Sequence, residues 1–346
     1  MAAPRSTGLF AQTEAIVRGK IALEEHFENP AYPTVGEGPY VTAGYAAEVA
    51  RKRHDPALRI AEMDEFGIET TIVSLTAPGI QGEPDVAKAV RIAREQNDYA
   101  LRTYVEPYRG RLLAFAAVPL QDPRAAADEL ERAVTQLGFK GALVNGFSNI
   151  GDEDTAWYLD DPHVLPFWER VDGLGVPVYL HPRIPLASQT RALAGYPALT
   201  CSPWGFGRET SEHALRLILS GLFDRFPKLT IILGHMGEGL TFTLPRLESR
   251  LRHFKPGTHG PHKLPPTHYL RQNFYLTTSG VFRTSALLDA MLEVGSDRLL
   301  FSVDYPYEST AESASWFDNC PISEADRTKI GRTNARALFQ LDPPRR

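Results

Sequence analysis

The sequence predicts an α/β protein built as a (β/α)8 barrel, and three observations carry that expectation. Eight apolar runs of strand length recur along 346 residues, helix signals follow them, and no GxGxxG pattern stands after the first run. A doubly wound sheet usually shows fewer strands and that glycine fingerprint, whereas repeated strand-then-helix units are what a closed barrel needs.

The runs are, in order, 20–27, 69–75, 112–118, 139–145, 176–181, 229–235, 274–278 and 298–303. The first, KIALEEHF, is apolar until Glu24, Glu25 and His26. Side chains alternate along a strand, so Glu24 and His26 share one face and Glu25 takes the other, where a structural contact is expected. After the third run, DPRAAADELERAVTQLG has Asp122 as N-cap, Pro123 at the first helical position and Gly138 as stop. The fourth run ends in KGALVNG and the fifth in VYLH, with Asn145 and His181 near their ends. ETSEHALRLILSGLF is the helix before the sixth run, which ends at His235. The eighth leads into VDYPYE, with Asp304, and the closing helix opens with Ser323 and Asp326 as a variant of the capping box.

A barrel of this kind needs about 250 residues, so the surplus lies in long connections at 28–44, 146–162, 182–206 and 252–272. All but the last follow a strand directly, on the face where barrel enzymes keep their sites. The expected organisation is an extension over 1–19 and one catalytic barrel over 20–346.

A 43% hydrophobic share, 23% charged residues and a net charge of −5 describe an ordinary soluble chain with no basic footprint for nucleic acid. Cys201 and Cys320 are too few for a disulfide framework and lack CxxC spacing, so a reducing, cytoplasmic setting is expected. Gln12, Thr13 and Glu14 interrupt the one greasy stretch near the start, which argues against a signal peptide. Nowhere do about 18 apolar residues run together, which removes a membrane span.

In a closed barrel Glu24, His26, His181, His235 and Asp304 converge on the mouth. Each alone is more often a hydrogen-bonded structural residue than a ligand. Buried together they cost several kcal/mol unless paired or metal-bound, and a divalent cation is the simplest compensation. Carboxylate and imidazole donors suit Zn, Mn or Fe, and with waters Mg. Asn145 stands where a second ion would want a bridging carboxylate or modified lysine, which favours one ion. Phe27, Trp204 and Tyr305 flank the strand-end residues and are candidate pocket walls. The remaining histidines fall in helices or loops and receive no role.

The blocks GKIALEEHF, GFKGALVNGFS, YLHPR, LSGLFDRFPKL, IILGHMGEGL, TTSGVFRT and KIGRTNARALF, spread from about residue 20 to 341, resemble the amidohydrolase superfamily. The branch resembled is that of aminocarboxymuconate-semialdehyde decarboxylase, and within it the hydroxybenzoate decarboxylases, of the γ-resorcylate (2,6-dihydroxybenzoate) type and of the 2,3-dihydroxybenzoate and salicylate type. The resemblance implies a metal-dependent, hydrolase-like barrel with Glu24, His26, His181 and Asp304 as ligands of one Zn, Mn or Mg ion. It further implies an active-site pair His235 and Glu238, an arginine for the substrate carboxylate at Arg246, a small aromatic carboxylate as substrate, and a homodimer or homotetramer. TLPRLESR and TCSPWGFGRET depart from the branch's pattern, and VDYPYE is nearer the 2,3-dihydroxybenzoate and salicylate relatives. The expected substrate is therefore 2,6-dihydroxybenzoate first, then 2,3-dihydroxybenzoate or salicylate.

Loss of CO2 from a benzoate leaves an aryl anion unless the ring carbon is protonated before or as the C–C bond breaks. That requires an electron-rich ring, supplied by an ortho hydroxyl, and an acid, for which Asp304 is the candidate. Its proton would come from the chelated phenol or from His235 and Glu238. The alternatives are a metal-dependent hydrolase of a lactone, ester or amide with Asp304 as general base, and a non-catalytic metal-binding barrel.

Overall fold

Each of the eight runs supplies one strand of a parallel barrel in the computed structural model, which describes residues 17–34 and 38–341. Most of the expected extension over 1–19 lies outside the described residues. The barrel strands are β1 (Lys20–Phe27), β2 (Ile68–Leu75), β3 (Leu112–Ala114), β4 (Ala142–Asn145), β7 (Val178–His181), β8 (Ile231–Leu233), β9 (Phe274–Thr277) and β10 (Leu299–Leu300). The intervening β5 (Ser148–Asn149) and β6 (Ala156–Trp157) form a small antiparallel hairpin inside one of the long connections. Parallel ladders run β1-β2-β3 and β10-β9-β8-β7-β4. Single parallel bridges, Ala116 with Ala142 and Glu25 with Tyr305, join the two sheets at both seams and close the ring.

The barrel interior is packed by Ile21, Leu23, Ile72, Phe115, Leu143, Tyr179, Ile232 and Leu300, with Ala335 and Phe339 of the last helix, Asn334–Phe339, plugging one end. Alternate residues such as Ala22, Val73, Val144, Leu180 and Leu233 face the surrounding helices. Strict alternation from Ile21 and Leu23 would send Glu24 and His26 outward. A register shift between Ala22 and Glu25 prevents this. The bulge is visible in its hydrogen bonds, because the consecutive N–H groups of Leu23 and Glu24 both donate to Ser302 Oγ at 2.9 Å.

The helix Pro123–Thr135 begins as its sequence dictates, with Asp122 accepting from the N–H groups of Arg124 and Ala125. It ends at Thr135, before the expected stop at Gly138. Ser323 caps the helix Glu324–Thr328 by accepting from the Asp326 N–H, and its hydroxyl donates to the Asp326 carboxylate. All but the first two strands are shorter than their apolar runs. In the sixth, β8 stops at Leu233 and the chain turns sharply at His235, which has φ 51°.

Candidate active site

Three strand ends meet around one point at the mouth. One donor atom each from Glu24, His26, His181 and Asp304 lies within 4.8 Å of all the others. His26 Nε2 is 3.2 Å from Asp304 Oδ1, and His181 Nε2 is 3.4 Å from Glu24 Oε1. Glu24 and His26 are fully buried, and Glu24 Oε1, His26 Nε2 and Asp304 Oδ1 find no hydrogen-bond partner among the described residues. Buried polar atoms are almost always satisfied, so three orphans aimed at one point describe a site that a cation completes. Two carboxylates and two imidazoles carry the charge and donor softness for Zn, Mn or Mg.

The far side of each ligand is fixed. His181 Nδ1 lies 2.8 Å from Asn145 Oδ1 and His26 Nδ1 lies 3.2 Å from Ser74 Oγ, which leaves both Nε2 atoms for the centre. Glu24 Oε2 accepts from the hydroxyls of Tyr179, Ser279 and, at 3.2 Å, Thr277, which leaves Oε1. Gly234 makes room for this carboxylate, since a Cβ there would sit 2.7 Å from Glu24 Oε2.

His235 closes the site from the next strand end. Its Nδ1 lies 2.8 Å from Glu238 Oε1 and its Nε2 lies 3.5 Å from Asp304 Oδ2. His235, Met236, Glu238 and Asp304 all have positive φ, between 51° and 79°, a conformation that costs such residues roughly 1–3 kcal/mol each and clusters at functional sites. Gly280, itself at φ 61°, lies so close that a Cβ would meet His235 Cδ2 at 2.8 Å.

Charge follows from this packing. Burial pushes the Glu24 carboxyl up, and burial together with the neighbouring His26 pushes His181 well below the usual imidazole value. Burial acts to lower His235 as well, but the Glu238 and Glu24 carboxylates outweigh it and raise the imidazole well above its ordinary value. Burial would raise Asp304, yet the His235 and His26 imidazoles beside it hold its carboxyl below the usual range. These directions favour the charged form of His235 and the ionised form of Asp304.

A cavity of about 1560 Å3 opens over the site and is lined by His181, His235, Glu238 and Asp304. Of the expected walls it contains Trp204, which is 57% exposed at the rim. Phe27 and Tyr305 are corrections. Phe27 faces outward from β1 and packs with Tyr104 and Tyr99 at 5.1 and 6.1 Å between ring centres. Tyr305 is drawn out of the mouth by the seam, where its carbonyl accepts from the His26 N–H and its ring lies 4.2 Å beneath the Arg59 guanidinium. Arg246 is exposed on the helix Leu240–Leu251 and does not line the cavity. Tyr307 and Arg183, which sequence reasoning passed over, do line it. Their signal was proximity, since Arg183 follows His181 by two residues and Tyr307 follows Asp304 by three.

Residues 24–341 match the amidohydrolase family model. The γ-resorcylate decarboxylase of Rhizobium sp. strain MTP-10005 is 50% identical over 327 residues, covering 94% of this chain and 99% of the relative. A 2,6-dihydroxybenzoate decarboxylase solved in complex with 2,6-dihydroxybenzoate superposes with a TM-score of 0.90 at 49% identity, over 94% of this chain and 100% of that one. A dihydroxybenzoic acid decarboxylase of Polaromonas sp. JS666, solved with bound manganese and the inhibitor 2-nitroresorcinol, gives 0.91 at 47% identity, over 95% and 98% of the two chains. On a match that runs from the first strand to the last helix, the chain belongs to the amidohydrolase family.

Proposed function

We propose that this protein catalyses the reversible, non-oxidative decarboxylation of an ortho-hydroxybenzoate to the phenol and CO2. 2,6-Dihydroxybenzoate is favoured, then 2,3-dihydroxybenzoate or salicylate. The observation that carries the reading is the convergence of Glu24, His26, His181 and Asp304, with three buried donor atoms unpartnered, beneath a cavity that also holds the His235–Glu238 pair. It agrees with the substrates named for the relatives.

Glu24, His26, His181 and Asp304 would hold the divalent ion, which supplies positive charge for a carboxylate and an ortho phenolate and lowers the phenol's pKa. The chain's own residues handle the proton. Glu238 fixes the His235 ring and favours its charged form. With a ring in the cavity and water displaced, His235 Nε2 passes its proton across 3.5 Å to Asp304 Oδ2. Asp304 then delivers it to the ring carbon that bears the carboxylate, drawing on electron density from the ortho oxygen. The C–C bonding pair returns to the ring as CO2 leaves.

The wider reading includes a single catalytic domain over 20–346 and a homodimer or homotetramer. The exposed side chains of Arg246 and Phe242 on the helix Leu240–Leu251 offer a face for such assembly. No helix among the described residues is long and apolar enough to cross a membrane.

The test is a substrate panel. Protein reconstituted with Mn or Zn is expected to release CO2 from at least one of 2,6-dihydroxybenzoate, 2,3-dihydroxybenzoate and salicylate. No release from any of them, together with hydrolysis of a lactone or ester panel, would sink the proposal in favour of a hydrolase.

A further inference from the structure

Behind the cavity wall lies a buried polar cluster that the chemistry above leaves unused. Glu209, on the helix Gly205–Leu219, is 1% exposed, and neither of its carboxyl oxygens has a hydrogen-bond partner among the described residues. Three donors surround it without engaging it. His213 accepts from the Leu159 N–H at Nε2, 2.9 Å away, and burial holds the ring neutral by lowering its pKa to about 3. The ring proton is therefore on Nδ1, which is unpartnered and 3.9 Å from Glu209 Oε1. The Tyr158 hydroxyl approaches the carboxyl outside hydrogen-bond geometry, and it accepts from Gln189 Nε2 at 3.0 Å. Arg183 spends its Nη groups on the Phe147 carbonyl and Asn149 Oδ1, both at 2.8 Å, and leaves Nε unpartnered. Arg183 and Glu209 meet over Gly146, where a Cβ would lie 2.9 Å from Arg183 Cγ and 3.2 Å from Glu209 Oε2.

A buried carboxyl with both oxygens free is costly unless it is protonated or bridged by ordered water. The first applies to this group. Burial pushes the Glu209 carboxyl up to about 8 against the pull of Arg183, and the charges of Glu212 and Glu238 push the same way as burial. Glu209 thus carries a proton at neutral pH, among polar atoms that can order water.

Its placement gives that proton a destination. Glu238 bonds His235 through Oε1, while its Oε2 leans on the first turn of the helix that carries Glu209, 3.0 Å from where a Gly207 Cβ would be. On the other side, Tyr158 and Gln189 are only half-buried. Each decarboxylation consumes one proton, and a ring seated in the cavity displaces water from the mouth.

We propose that Glu209 is a proton reserve behind the His235–Glu238 pair, giving its proton inward through ordered water to Glu238 and regaining one from solvent past Tyr158 and Gln189. The inference rests on the decarboxylase reading. The balance is simple: the proton placed on the ring carbon is replaced along Asp304, His235 and Glu238 from Glu209, bulk water restores Glu209, and no electrons are transferred along the route. Glu209 touches no reacting atom and acts through Glu238.

The test compares the metal-loaded wild type with Glu209→Gln and Tyr158→Phe, measuring kcat, KM, the solvent deuterium isotope effect and the pH profile. The expected result is a fall in kcat of about tenfold or more in Glu209→Gln, smaller than the roughly 10²–10⁴-fold of a group that transfers the proton directly, with KM within about twofold and a larger isotope effect on kcat. Tyr158→Phe shifts in the same direction. Independently of turnover, infrared difference spectra of the wild type should show a protonated carboxyl that titrates near pH 8 and is missing from Glu209→Gln. If Glu209→Gln does not fold, Tyr158→Phe decides through kcat and the isotope effect, because burial also pushes the Glu25 carboxyl up to about 8. An inactive wild type defeats the decarboxylase reading. An active wild type matched by the variants in kcat, isotope effect and pH profile, or a wild type with no carboxyl titrating near pH 8, overturns the reserve.

Discussion

His235 Nε2 stands 3.5 Å from Asp304 Oδ2, and the two residues arrive from different strand ends with φ angles of 51° and 79°. Backbone strain at both ends of one contact places an imidazole that holds a proton beside a carboxylate that lacks one. That pairing is what an acid for carbon protonation needs at rest, and it bears directly on the expected behaviour of variants.

Asp304→Asn is expected to lower kcat by about 10³-fold or more, within the range for loss of a positioned acid plus a weakened ion site. The fold should persist, because the Asp304 N–H bond to the Glu24 carbonyl is made by backbone. Steady-state kinetics alongside circular dichroism checks this, and retained turnover would remove Asp304 as the donor.

Glu238→Gln should leave metal content unchanged and lower kcat by about 10²-fold. The neutral amide still reaches His235 Nδ1 but no longer favours the charged ring. Metal analysis by mass spectrometry beside kcat separates this from a ligand defect.

Asn145→Leu removes the group 2.8 Å from His181 Nδ1 and frees that ring to turn. Loss of such an orienting partner typically costs 10–100-fold in metal affinity, measurable by competition with a chelating dye. An unchanged affinity would show that packing alone sets the His181 ring.

Chelation should abolish turnover and lower the melting temperature, and Mn or Zn should restore both. At free metal 1,000 times its Kd the stabilisation is about 4 kcal/mol, a shift of several degrees in a thermal melt. A chelated protein with full activity would contradict the ligand assignment.

His213 sets a pH dependence of stability. Its folded pKa of about 3 lies below the ordinary 6.5 because burial disfavours the charged ring. Below pH 6.5 the unfolded chain binds a proton that the folded chain refuses, so this stability is full above 6.5 and is lost as pH falls toward 3. Urea melts between pH 6.5 and 5 should show a shallower loss in His213→Asn than in the wild type.

The barrel was legible because eight apolar runs survive as strands, and the ligand set because its members sit at the ends of those runs. The bulge in β1 was not legible. Alternation rightly paired Glu24 with His26 and turned Glu25 to a structural role, where it accepts from the Val303 and Tyr305 N–H groups at 2.9 and 3.3 Å. Which face of the strand meets the barrel axis depended on Ser302, almost the whole chain away. Proximity in sequence also misjudged the walls. Tyr305 is held by the seam between β1 and the segment after β10, and Tyr307 reaches the cavity instead, its ring centre 5.7 Å from that of His26. Glu209 was invisible because its neighbours come from three separate segments.

The most direct test of the account is to run the metal-loaded protein in D2O on 2,6-dihydroxybenzoate labelled with 13C in the carboxyl group, following products by NMR and gas analysis. The account predicts 13CO2 and resorcinol with one deuterium at the carbon that bore the carboxylate, formed faster than in a metal-free control. Absence of 13CO2 from this substrate, and from 2,3-dihydroxybenzoate and salicylate labelled in the same way, would contradict it.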